Sequence, residues 1–219
     1  MEKQLIQVST IGEEVYHQLK QRIITGKLKP GQRVTVRDLA QSMGVSTMPI
    51  RESLRKLEVE GFIHYQRRSV SVTHLSAKEV TEIFEIRKQL ESMAIRWSIC
   101  NVNKERETQL LTILEQMDEQ LTNEQAWERL NKSFHLTLYS YADAKPLQDI
   151  LTQIWHRVEP YMHLYALTTK DYSLVKAQQD HYQMLYLWQQ KESDRLVALI
   201  KEHLEKTCQD ILLSQCNWL

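Results

Sequence analysis

The sequence predicts a mainly α protein: an N-terminal winged helix-turn-helix followed by an antiparallel all-α helical bundle. Three observations predict it. All five glycines (Gly12, Gly26, Gly31, Gly44 and Gly61) fall within the first 61 of 219 residues. Residues 76–219 hold only Pro146 and Pro160 as breakers and are rich in Leu, Glu, Gln and Lys, which reads as helices joined by short polar loops. Charge divides the same way. Residues 1–75 carry 12 Lys and Arg against 7 Asp and Glu, residues 76–219 carry 16 against 21, and the whole chain is formally neutral. A basic module joined to an acidic one implies a polyanion partner for the first part alone. The expected domains are thus residues 1–75, the module with the polyanion partner, and residues 76–219, the helical module.

Composition excludes several classes. With 42% hydrophobic and 26% charged residues, the chain has enough apolar surface for a core and is not a disordered polymer. No apolar run reaches the roughly 18 residues a membrane span needs. The start, Met1 to Ile6, lacks the apolar centre of a signal peptide. Cys100, Cys208 and Cys216 are odd in number and show no CxxC spacing, which argues against a disulfide scaffold or zinc–thiolate site and for a reducing cytoplasm.

In the first part, Thr10 can cap a helix whose apolar positions Val15, Leu19 and Ile23 recur every four residues. Gly26 ends it, and Lys29-Pro30-Gly31 forms a turn. Thr35 opens a second helix, with Val36, Leu39, Ala40 and Met43 on one face and Gly44 closing it. Ser46 caps a third, burying Ile50, Leu54 and Leu57, with Pro49 tolerated in the first turn. Gly61 ends that helix. Phe62–Tyr65 and Ser69–Thr73 then read as short strands around a basic tip, Gln66-Arg67-Arg68.

The third helix occupies the recognition position of such a fold. Beside its buried face it presents Thr47, Met48, Arg51 and Arg55. A guanidinium at Arg51 can reach guanine O6 and N7 in a major groove, and Thr47 and Met48 can meet thymine methyls. Ser46 and the helix N-terminus suit a phosphate, and Arg67 and Arg68 suit a minor groove or the backbone. The competing reading is that these are solvated charges on a small domain. The ordered pattern around them decides against it.

That pattern also resembles a family. Leu19–Gly31 (LKQRIITGKLKPG), Val36–Leu39 (VRDL), Val45–Leu54 (VSTMPIRESL) and Leu57–Ile63 (LEVEGFI) are similar to the DNA-binding domain of GntR bacterial transcription regulators. The resemblance implies that Arg37 and Arg51 take the positions of DNA-contacting arginines. Two positions depart from it: Thr47 stands where the family usually has Arg, altering one base contact, and Ser69 where the wing usually has Gly.

In the second part, Ser76 and Glu79 form a capping-box pattern opening a helix to about Cys100. Further helices are expected over about 103–121, 124–140, 146–168, 173–190 and 193–215, with Pro160 kinking or splitting the fourth of these. Polar residues fall inside the apolar stripes. Arg87 lies among Val80, Ile83, Phe84, Leu90, Ala94 and Trp97. Asn131 and His135, one turn apart, border Trp127, Leu130, Phe134 and Leu138. His181 lies among Leu174, Ala177, Leu185 and Trp188, and His203 among Leu196, Leu199, Ile200 and Leu204. Buried polar groups are costly unless paired, and convergence on one site satisfies all five. The other histidines (His17, His64, His74, His156 and His163) read as surface residues. Three imidazoles with an amide oxygen can coordinate a divalent transition ion; the competing reading is that each histidine hydrogen-bonds locally within the core.

Residues 76–215 are similar to the FCD effector domain of FadR-type GntR regulators. Its metal-binding members carry Asp-x-x-x-His and two further histidines, matched here by Asn131-Lys132-Ser133-Phe134-His135, His181 and His203. The resemblance implies a bound divalent ion, zinc first, with nickel or manganese as alternatives. It also implies that Arg87 holds the carboxylate of a small organic acid, where the competing reading is an ion pair with Glu91. The Asn in place of Asp weakens the ligand set and leaves one more positive charge for an anion to neutralise. The function expected is a homodimeric, ligand-responsive regulator binding double-stranded operator DNA, with no enzymatic activity and no membrane contact. The alternatives are a helical metalloenzyme using the three-His site and a helical interaction protein without a small ligand.

Overall fold

A computed structural model describes residues 11–66, 69–121, 123–168 and 171–215. They divide after His74 into two compact units. Among the described residues, no helix is long and apolar enough to cross a membrane.

The first unit orders α1 (Ile11–Ile24), β1 (Arg33–Val34), α2 (Val36–Met43), α3 (Thr47–Val59), β2 (Ile63–Gln66) and β3 (Ser69–Val72). Val15, Leu19 and Ile23 of α1 are buried with Ile50, Leu54 and Leu57 of α3, so the four-residue repeat in the sequence is the core-facing stripe of each helix. Thr35 caps α2 by accepting from the Asp38 amide. Gly44 closes α2 at φ 65°, a left-handed conformation that an L side chain enters only with strain. β3 lies between β1 and β2 and runs antiparallel to both, with Ile63 opposite Val72 and Val34 opposite Val70. The two-residue β1 was not among the expected strands. Ser46 stands at the N-cap of α3, but its hydroxyl makes no capping bond, contrary to expectation. Thr10, expected to cap α1, and Arg67 and Arg68, expected at the hairpin tip, lie outside the described residues.

The second unit holds α4 (Ala77–Ser98), a 3-10 turn (Ile99–Asn101), α5 (Lys104–Asp118), α6 (Glu124–Ser140), α7 (Lys145–Thr168), α8 (Asp171–Gln189) and α9 (Ser193–Gln215). Ser76 opens α4 with a complete capping box, its hydroxyl accepting from the Glu79 amide while Glu79 accepts from the Ser76 amide. The helices share one apolar core that includes Phe84, Leu114, Phe134, Trp155, Trp188 and Ile200.

Two expectations fail here, and a third holds at most in part: Pro160 does not split α7, which runs as one helix through it. An internal proline costs about 3 kcal/mol, but Trp155, Val158, Tyr161 and Met162 are buried on both sides of it and keep the helix continuous. Trp97 is 47% exposed rather than part of the buried stripe, while the small Ser98 beside it is buried and accepts a hydrogen bond from the Trp188 indole. His163 is buried, not a surface residue, because α7 packs against α4, α6 and α9 together and turns more than one face inward. His156 is half-buried, whereas His17, His64 and His74 are exposed.

Candidate functional site

In the helical unit, α6 carries Asn131 and His135, α8 carries His181, and α9 carries His203. A ring nitrogen of each of the three histidines lies within 4.8 Å of one in the others. Ring centroids are 5.0 Å apart for His135 and His181, 5.0 Å for His181 and His203, and 5.5 Å for His135 and His203. His135, His181 and Asn131 are buried and His203 is half-buried. Burial, together with the neighbouring rings, holds His135 and His181 well below the ordinary histidine value, so both are neutral imidazoles.

The outer nitrogens decide which way these imidazoles face. His135 Nδ1 is 3.0 Å from Tyr139 Oη, and that hydroxyl donates its single proton to Glu91 Oε2. The phenol oxygen can therefore only accept, and Nδ1 carries the hydrogen. Burial and Glu91 hold the Tyr139 pKa well above the usual tyrosine range, so its proton stays. His181 Nδ1 is 3.3 Å from Gln178 Oε1. The Gln178 amide nitrogen donates to Leu114 O and Asp118 Oδ1, both at 2.9 Å, which turns its carbonyl towards His181. His203 Nδ1 lies 3.5 Å from Asp180 Oδ2. Burial alone would raise the Asp180 pKa, but His203 and Lys176 hold the carboxyl below its ordinary value.

Each Nδ1 thus has an acceptor, and the Nε2 atoms of His135 and His181 face each other. His135 Nε2 and His181 Nε2 stand only 3.2 Å apart. Two facing lone pairs at that distance repel unless a cation lies between them or one ring gives up its outer acceptor. The spacing fits two nitrogens of a tetrahedral ion bound at about 2.0–2.1 Å, which stand about 3.3 Å apart. Asn131 Oδ1, one turn before His135, is buried without a hydrogen-bond partner among the described residues. An oxygen donor on the same helix as His135, added to three imidazoles, would make a set suited to a borderline divalent ion.

Arg87, 1% exposed, borders this cluster closely enough that its charge helps depress His135. Its guanidinium carbon stacks 4.2 Å from the Trp155 ring and 4.8 Å from the Phe84 ring. Nε donates to Glu91 Oε1 at 2.7 Å, so the ion pair weighed in the sequence is present. Nη1 is nonetheless buried without a hydrogen-bond partner among the described residues, leaving one donor for a ligand. Glu91 was foreseen only as the ion-pair partner of Arg87, and Tyr139, Gln178 and Asp180 were not identified from the sequence. The i,i+4 spacing of His135 and Tyr139 was the available signal.

In the first unit, Arg37, Ser46, Thr47, Met48, Arg51 and Arg55 are all exposed. Tyr65 on β2 lies within the field of Arg51 and Arg55, so the wing strand adjoins the cationic face of α3. Sequence reasoning missed Tyr65.

Comparisons with known proteins agree with this architecture. Residues 11–72 match the bacterial regulatory proteins of the gntR family and residues 82–206 match the FCD domain. The HTH-type transcriptional regulator YdhC of Bacillus subtilis (strain 168) is 37% identical over 145 residues, a match spanning 64% of this chain and 65% of that protein. The gluconate operon transcriptional repressor of Bacillus licheniformis is 30% identical over 226 residues, covering 98% of this chain and 91% of that protein. Among solved structures, E. coli McbR/YncC shares the fold with a TM-score of 0.78 at 22% identity, covering 97% of this chain and 100% of that one. These relatives are transcriptional regulators, not enzymes. The chain therefore belongs to the gntR family of bacterial regulatory proteins and is a transcriptional regulator with an FCD domain.

Proposed function

We propose that this regulator acts in the cytoplasm as a homodimer on double-stranded operator DNA, and that its helical unit senses a small organic acid through a bound divalent ion. His135, His181 and His203, with Asn131, would hold the ion, zinc first and nickel or manganese otherwise. The ion would supply a Lewis-acid centre, which a carboxylate oxygen would reach by displacing the weak Asn131 donor or by raising the coordination number. Arg87 orients the acid through Nη1. Arg37, Ser46, Thr47, Met48 and Arg51 read or position the DNA, joined by Arg67 and Arg68, which follow β2 in the sequence. A ligand alters DNA affinity only by binding more tightly to one of two arrangements of the protein.

The observation that supports this reading is the pairing of the outer nitrogens with Tyr139, Gln178 and Asp180, which a cation among the three rings would let all three histidines keep. Elemental analysis of the native protein, combined with a thermal-shift screen of small carboxylates, tests it. The expected result is a divalent metal near one per chain and a carboxylate that raises the melting temperature. That rise should be lost after chelation or in His181→Ala, since ligand stabilisation follows occupancy. Protein free of metal, whose carboxylate response is untouched by His181→Ala, overturns the reading.

A further inference from the structure

Glu91 has no exposed surface and joins the two parts of the candidate site. Its Oε1 accepts from Arg87 Nε and its Oε2 from the Tyr139 hydroxyl, and Tyr139 in turn meets His135 Nδ1 at 3.0 Å. Every direction along this chain is forced. Arginine only donates, and a carboxylate only accepts. The single Tyr139 proton is spent on Glu91, so the phenol oxygen accepts from His135. We propose that Glu91 is a positioning residue for the metal centre: acting through Tyr139, it fixes His135 as the Nδ1–H tautomer and keeps the Nε2 lone pair pointed at His181. The inference rests on the reading of the histidine cluster as a cation site.

The isosteric change Glu91→Gln inverts the chain. Arg87 Nε still needs an acceptor, so the new carbonyl oxygen must face it and the amide nitrogen must face Tyr139. Tyr139 then accepts from Gln and turns its own proton to His135 Nδ1. His135 must present a lone pair there and carry its hydrogen on Nε2, where it can no longer bind a cation. Tyr139→Phe only removes the acceptor and leaves both tautomers open. The isosteric variant is therefore expected to harm the site more than the variant that deletes a hydroxyl, the reverse of the order that lost packing would give.

The test uses the full-length, metal-free protein labelled with 15N-histidine. Long-range proton–nitrogen spectra near pH 7.5 report each tautomer, and a His135→Gln spectrum assigns the signals. Zinc affinity is measured on the same proteins against a chromophoric chelator. The parent is expected to show His135 as Nδ1–H and Glu91→Gln to show it as Nε2–H. Zinc affinity should fall about 100-fold in Glu91→Gln and about 10-fold in Tyr139→Phe, the range found when outer partners of metal ligands are lost. A parent with Nε2–H at His135, or a Glu91→Gln protein that keeps the parental tautomer, overturns the proposal. If Glu91→Gln does not fold by circular dichroism, Tyr139→Phe carries the test, and an unchanged, purely Nδ1–H His135 in that variant overturns it. A parent with the expected tautomer that binds no divalent ion overturns the cation-site reading and leaves the positioning of His135 by Glu91 supported.

Discussion

Glu128 shows how a single side chain records its surroundings. Burial pushes its carboxyl above the ordinary glutamate value, and nearby Glu159 adds to the shift, while His163 and Lys132 oppose it. His163 Nδ1 lies 3.1 Å from Glu128 Oε2, so the buried histidine that the sequence placed at the surface is the partner that makes this carboxylate tolerable. Because the folded pKa lies above the unfolded one, the folded chain takes up a proton as pH falls towards the ordinary carboxylate value. The associated stability is present below that value and lost as pH rises through the raised one. Glu128→Gln keeps a carbonyl oxygen for His163 and removes the ionisation. It should therefore melt above the parent at pH 8, with the gap closing as the pH approaches 5. Thermal melts at the two pH values measure this, and a gap that widens on acidification contradicts it.

At the scale of elements, Ser76 and Glu79 close a reciprocal cap on α4, the helix that carries Arg87 and Glu91. Ser76→Ala removes the acceptor for the Glu79 amide and should cost about 1 kcal/mol in urea unfolding, whereas Ser76→Asp restores the acceptor and most of the stability. Helices of this kind were legible because cap and period agree: α6 spans Glu124–Ser140 and α9 spans Ser193–Gln215, as the apolar spacing and polar boundaries predicted. The three inward histidines were legible for the same reason, since each interrupts a stripe at helical phase. His163 was not, because phase analysis assumes one buried face and α7 is enclosed from several sides. Trp97 misled because size and hydrophobicity suggested burial, while helical rotation gave the interior position to Ser98. β1 is two residues long, too short to leave a period, and exists only through pairing with β3. The partners of the histidines were illegible for a different reason. Gln178 and Asp180 look like surface residues in sequence, and only the packed helices turn them towards imidazole nitrogens.

At the scale of the whole molecule, formal neutrality conceals a basic first unit, in which residues 1–75 carry 12 Lys and Arg against 7 Asp and Glu. Attraction to DNA therefore comes from that unit, and two effects there separate cleanly. Arginines that meet phosphates release counterions, which makes affinity fall with salt by a logarithmic slope of about 0.9 per phosphate neutralised, whatever the sequence. A guanidinium that meets a guanine edge contributes about 1–3 kcal/mol of discrimination against a wrong base. Arg37 and Arg51 are both exposed, but Arg51 lies one turn into α3, with Met48 exposed on the preceding turn. Arg51→Ala is expected to bind operator and random duplexes with nearly equal affinity while retaining a steep salt slope. The measurement is fluorescence anisotropy on the two duplexes across a salt series. If both the affinity and the separation of operator from random DNA match the parent's, Arg51 does not face DNA and α3 is not the element that reads the sequence. If the loss appears as an equal weakening on both duplexes, Arg51 is a backbone contact, and base discrimination passes to Thr47 and Met48.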